Sequence, residues 1–147
     1  MRKELVQWLD DHGHWGVHRS ALLNKKCPCL SRDNGKTNSA CRRCLGTGHM
    51  FVDYIVKLDK RTFSPEFVRD AGVGEARVGD FRYYLERIVP VKQDDLILEV
   101  ELDESTLLPV QPFRIREAYR VKAVEDMRDR GGRLEFVQLV VDTIAVR

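Results

Sequence analysis

Two runs, Ala118-Tyr119-Arg120-Val121-Lys122-Ala123-Val124 and Leu134-Glu135-Phe136-Val137-Gln138-Leu139-Val140-Val141, stand on either side of Asp129-Arg130-Gly131-Gly132. The glycines accept the positive φ that a hairpin turn needs, so the segment predicts two antiparallel strands closing the chain. Working back from them, Phe113 and Ile115 begin the first of these strands. Leu96, Leu98, Val100 and Leu102 alternate with Ile97, Glu99, Glu101 and Asp103. Val78 to Leu85 reads as a further strand. Met50, Val52, Tyr54, Val56 and Leu58 share one face of another, with Asp53, Ile55 and Lys57 on the other face. A weaker alternation from Trp15 to Leu23 precedes it. About five to seven strands at this spacing predict a mainly β fold, a small β-barrel or sandwich.

The start differs. Leu5, Trp8 and Leu9 fall at helical spacing and predict a short N-terminal helix over residues 3–11. With 147 residues, the chain suits one β domain over 1–147. Lys+Arg number 25 against 23 Asp+Glu, and a net charge of +2 gives no bulk argument for nucleic-acid binding. The first residues lack the long apolar run of a signal peptide, and no stretch approaches a membrane span, so a reducing, cytoplasmic site of folding is expected.

All four cysteines lie in a single short segment: Cys27-Pro28-Cys29, a polar loop, then Cys41-Arg42-Arg43-Cys44 followed by Leu45-Gly46-Thr47-Gly48. The loop has almost nothing apolar to bury, so its order must come from a crosslink or an outside contact. Two close thiol pairs supply the tetrahedral thiolate set that zinc prefers, and the glycines allow backbone N–H groups to turn toward sulfur. The expectation is a structural Zn2+ on Cys27, Cys29, Cys41 and Cys44, in a knuckle inserted over 25–50. Disulfides, an iron–sulfur cluster or free thiols are the competing readings, and His49 is near enough to replace one thiolate. Four thiolates close the shell and no Glu lies beside either pair, which argues against a catalytic zinc.

No phosphate loop, nucleophile elbow or zinc-protease helix is present, so no enzyme is expected. His12, His14 and His18, near Asp10 and Asp11, suit either a second metal or acid–base cluster or a plain surface group near a turn. From Asp59 to Gly74 no period is sustained. That break is a candidate moving or partner-binding element or a bland surface excursion. Asp94, Asp95, Glu99, Glu101, Asp103 and Glu104 crowd one segment; Arg114, Arg116, Arg120, Lys122, Arg128, Arg130 and Arg133 crowd the next. They are either the solvated faces of half-buried strands or complementary patches between neighbouring subunits.

The order of these pieces resembles the head-closure, or stopper, proteins of tailed-bacteriophage necks. The residues that carry the likeness are Cys27 to Cys29, Cys41 to Gly48, the aromatic-rich strand Phe51 to Val56, Gly79-Asp80-Phe81, the acidic strand Asp94 to Glu101, and Tyr119-Arg120-Val121 opposite Leu134 to Val141. Asp94-Asp95 stands where the family pattern has Gly-Asp. A similar Cys-x-x-Cys-x-Gly-x-Gly unit occurs in the zinc domain of DnaJ-type chaperones, which repeat it four times, whereas here it occurs once.

The resemblance implies a virion protein made in the host bacterial cytoplasm and placed in the virion neck. Its subunits form a ring with the portal-adaptor ring above and a tail terminator or tail ring below. The ring retains packaged DNA in its channel without sequence-specific contact, and no membrane is involved. On this reading Arg61, Phe63, Glu66, Phe67 and Arg69 are candidates for the channel or docking loop, and the zinc segment stiffens an outer projection. Asp95, Glu99, Glu101, Arg114, Arg116 and Arg120 are candidates for charge patches between subunits. The alternative is a small zinc-ribbon nucleic-acid-binding protein, drawn from Lys25, Lys26, Arg32, Lys36, Arg42 and Arg43 around the cysteines.

Overall fold

Alternating side chains need an inside and an outside, and in the computed structural model a closed barrel provides both. The structure describes residues 2–30, 35, 36, 38, 40–62, 81–86, 90–128 and 134–144. Helix α1 (Arg2–His12) is followed by β1 (His14–Lys26), β2 (His49–Thr62), β3 (Phe81–Glu86), β4 (Leu96–Val100), β5 (Ile115–Arg128) and β6 (Leu134–Ile144). The strands close in the order β1-β2-β3-β6-β5-β4 and every pairing is antiparallel. Closure removes the free sheet edges that an open sheet of this size leaves.

The register explains the core. Leu58 faces Leu85, Tyr83 faces Leu139, Val121 faces Val141 and Ile97 faces Tyr119 across neighbouring strands. These side chains point inward and form the main core with Val56 and Val137, all buried. Gly16 sits where β1 closes against β2 and β4. A Cβ there would lie 2.4 Å from Leu58 Cδ1 and 3.1 Å from the Leu98 carbonyl oxygen, so a side chain at this crossing would have to displace Leu58 within the core.

A second cluster lies on the other face of the wall: Val17, Leu96, Leu98, Val100 and Ala118, packed against Leu45, Leu102, Phe113, Ile115 and Ile144. The expected alternation in β4 is therefore incomplete. Leu96, Ile97 and Leu98 are all buried, because the chain covers both faces of this short strand. The closing hairpin forms as expected, with Val121 opposite Val141 and Arg128 opposite Leu134; its turn, 129–133, lies outside the described residues, as do Gly79 and Asp80.

Helix α1 ends at Gly13, whose N–H donates to the Leu9 carbonyl at 2.9 Å. Leu9 is buried. The Trp8 indole N–H donates to Asp59 Oδ2 at 2.9 Å, and Asp10 pairs with Lys57 at 2.6 Å. Trp8 and Asp10 thus tie the helix to β2, and Leu9 is its buried apolar residue among those described. Among the described residues no helix is long and apolar enough to cross a membrane.

Candidate metal centre

β1 and β2 pair from His14–Leu58 to Leu22–Met50, and the register then shifts so that Lys26 faces His49. That irregularity releases the chain into the cysteine turn. The Cys27 N–H donates to the Gly48 carbonyl at 2.8 Å and clamps the base of the turn. Two further bonds, Leu45 N–H to the Cys41 carbonyl at 2.9 Å and Thr47 N–H to the Cys44 carbonyl at 3.1 Å, wind the second thiol pair into a tight coil. Gly46 and Gly48 have φ of 82° and 78°, in the left-handed region where an L side chain is strained. The Gly48 N–H points at Cys44 Sγ, 3.4 Å away. This is the backbone-to-sulfur geometry that the Gly-x-Gly spacing predicted.

The four thiols converge. All four sulfurs lie within 4.8 Å of one another, with Cys27 to Cys41 at 3.9 Å and Cys29 to Cys44 at 3.5 Å. A tetrahedral ion with metal–sulfur bonds of about 2.3 Å places its ligands about 3.8 Å apart, so the set fits one ion. A disulfide needs about 2.05 Å, and all four cysteines are free. Cys27 and Cys44 are buried, whereas Cys29 and Cys41 are partly exposed. The N–H groups of Cys44 and Arg43 hold the Cys41 thiol down at about 6. Burial and the neighbouring thiols push Cys29 up to about 12. A cluster of thiols this tight does not ionise fully on its own; a bound cation would supply the missing charge. His49 opens β2 and is not part of the thiol group, and among the described residues the cysteines form the one such set of three or more ligand side chains.

The turn is not a free projection. Leu45, the residue after the last cysteine, packs into the outer cluster on β4 and β5. A cavity of about 280 Å³ remains beneath the turn, lined by Leu23, Gly46, Thr47, His49 and Arg120 among others. Sequence reasoning missed this seating, although an apolar residue between two turn glycines and a ligand was its one visible signal.

The histidines separate. His12 stacks on Trp8 with ring centroids 4.0 Å apart. His14 and His18 share the inward face of β1, as a strand requires, but each has its own carboxylate. His14 Nε2 lies 2.7 Å from Glu99 Oε2, and Tyr83 O–H donates to Glu99 Oε1 at 2.6 Å. His18 Nε2 lies 2.9 Å from Asp95 Oδ2, both side chains fully enclosed.

These contacts correct the expected charge patches. Asp95 is 1% exposed, and its carboxylate also accepts from the N–H groups of Ala21 at 3.1 Å and Lys92 at 3.0 Å. It joins β1 to the chain entering β4 and presents nothing to a neighbour. Glu99 turns into the barrel because it shares the face of Ile97. Glu101 and Arg114 pair with each other at 3.6 Å, and Arg120 lies 3.8 Å from Asp142. Arg116 is exposed.

Of the candidate channel residues, Arg61 belongs to β2, where its guanidinium donates to Asp59 at 3.0 Å and lies over the Trp8 ring. Phe63, Glu66, Phe67 and Arg69 lie outside the described residues. No family model matches this chain, and no curated protein matches it.

Proposed function

We propose that this chain is a structural subunit of a tailed-phage neck, forming a ring between the portal adaptor and the tail. The observation that carries the reading is the cysteine turn inserted between β1 and β2 of a closed antiparallel barrel, in the chain order on which the likeness to head-closure proteins rests. The ion is zinc: four thiolates in a closed tetrahedral set suit it and leave no position for water or substrate. Its role is to hold the turn against the barrel wall, not to act on a bond. The subunit is not an enzyme. Its work is to retain packaged DNA in the channel without sequence-specific contact and to offer the tail a docking surface.

Electron microscopy of a lysate in which this gene is deleted tests the proposal. Empty or leaking heads beside free, complete tails are expected. Intact, DNA-filled, tailed particles would overturn it.

A second reading is favoured by one specific observation: Lys25, Lys26, Arg42 and Arg43 are all exposed around the thiols, so the metal turn itself is basic. A nucleic-acid binder built on this turn would bind duplex DNA with an affinity that falls steeply as salt rises. Retention of a DNA fragment that does not weaken between low and moderate salt would count against it.

A further inference from the structure

The connection from β4 to β5 is a turn built with unusual care for a surface loop. Asp103 Oδ1 accepts from the Ser105 hydroxyl and from the N–H groups of Thr106 at 3.0 Å and Ser105 at 2.9 Å, which hold its carboxyl down at about 2. The Leu107 N–H donates to the Asp103 carbonyl at 2.8 Å, the Asp103 N–H donates to the Leu108 carbonyl at 2.9 Å, and Leu102 bridges to Pro109. What this frame displays is apolar. Leu107 is 61% exposed and held at φ 58°, and Leu108 beside it is 45% exposed. A leucine in the left-handed region, fixed by hydrogen bonds and left in water, is costly unless something covers it.

The opposite end of β4 carries the complement. β4 runs antiparallel to β1, so the 101–110 turn and the metal turn lie at opposite ends of these strands. Beneath the metal turn is the cavity of about 280 Å³, large enough for a leucine side chain, with Leu23, 64% exposed, on its rim. Charge follows the same division. Glu104 and Asp103 flank the exposed leucines; Arg120 lines the cavity beside Asp94 and lies 3.8 Å from Asp142, and with Lys25 and Lys26 following Leu23 along β1 the cations at this end outnumber the acids three to two.

We infer that the 101–110 turn of one copy inserts Leu107 into the cavity under the metal turn of the next copy, with Glu104 against Arg120. Two different surfaces meet in this contact, so it propagates head to tail and closes into a ring when the rotation allows. The inference rests on the ring proposed above for closure alone; the contact itself stands on these two surfaces. Rigid display of Leu107 lowers the ordering cost of docking, and opposite charge sets the direction.

Sedimentation of the full chain across a concentration series tests it. The wild-type chain self-associates, more weakly at high salt, whereas Leu107→Asp and Leu23→Asp each weaken association by about tenfold or more. Both positions are exposed, so both variants keep the wild-type melting temperature. An equimolar mixture of the two variants contains one intact knob and one intact cavity, and is expected to form a heterodimer and nothing larger. A wild-type chain that stays monomeric at millimolar concentration, variants that associate as before, or a mixture that stays monomeric would overturn the contact. None of these results bears on the lysate phenotype, so this contact and the neck role fail separately.

Discussion

β6 and the metal turn meet the same barrel with different resources. β6 buries Val137, Leu139, Val140 and Val141; β5 pairs with it along nearly its whole length and β3 from Phe136 to Val141. Among the described residues of the turn, the side chains removed from water are two thiols, Cys27 and Cys44, with Leu45 half-covered. Apolar burial stabilises by about 25 cal/mol per Å², so the strand orders itself by packing while the turn lacks the area to do so. The contrast teaches where a metal would act: on the four thiols it would replace a core, whereas the strand needs none.

The largest effect that sharpens this contrast is loss of ligands. Cys41→Ser with Cys44→Ser takes bound zinc from one ion per chain to none, measured by metal analysis of the purified protein, while far-ultraviolet dichroism keeps the β signal. Structural zinc is worth about 10–16 kcal/mol in small zinc modules, so the turn is expected to lose its order outright. Loss of the β signal would show that turn and barrel fold as one.

Next come two barrel substitutions. Leu139→Ala opens a hole in the inner core and is expected to cost about 2–5 kcal/mol in chemical denaturation. Asp95→Ala strands two buried donors, on His18 and Ala21, and the part-buried Lys92 N–H, with a cost of about 3–5 kcal/mol. Both are expected to leave zinc stoichiometry at one. A parallel loss of metal would erase the distinction between the two regions.

A smaller effect is pH-dependent. The hydrogen bond to Glu99 holds His14 above its ordinary 6.5, so its contribution is whole below that value and is lost as pH rises through the raised one. Burial alone would raise Glu99. The hydrogen bonds from His14 and Tyr83 nevertheless hold it below 4.5, so its contribution is whole above 4.5 and is lost as pH falls through the depressed value. Stability from this pair therefore peaks between about pH 4.5 and 6.5. His14→Gln is expected to flatten that maximum in melting temperature against pH; an unchanged profile would contradict the pairing. Smallest is Gly48→Ala, which forces a Cβ into φ 78° and is expected to cost about 1 kcal/mol in the turn and nothing in the barrel.

What was legible in the sequence follows from range. The hairpin of β5 and β6, the thiol spacing and the helix around Trp8 and Leu9 depend on neighbours a few residues away, and each was readable. Burial of β4 on both faces was not, since it depends on Leu45 and Phe113 arriving from distant segments. Alternation places Val52 on the face of Val56 and Leu58, yet it is 38% exposed, because it faces Ser20 in the stretch of β2 that precedes its pairing with β3. Asp95 and Glu99 read as surface acid for the same reason: their partners His18 and His14 lie 77 and 85 positions away.

Amide hydrogen exchange of the full chain with and without a zinc chelator decides whether a metal orders the turn and not the barrel. The account requires faster exchange over residues 27–30 and 40–49 after chelation, with amides of β3, β5 and β6 keeping their protection. Unchanged exchange in the turn, or loss of protection across the whole barrel, would contradict it.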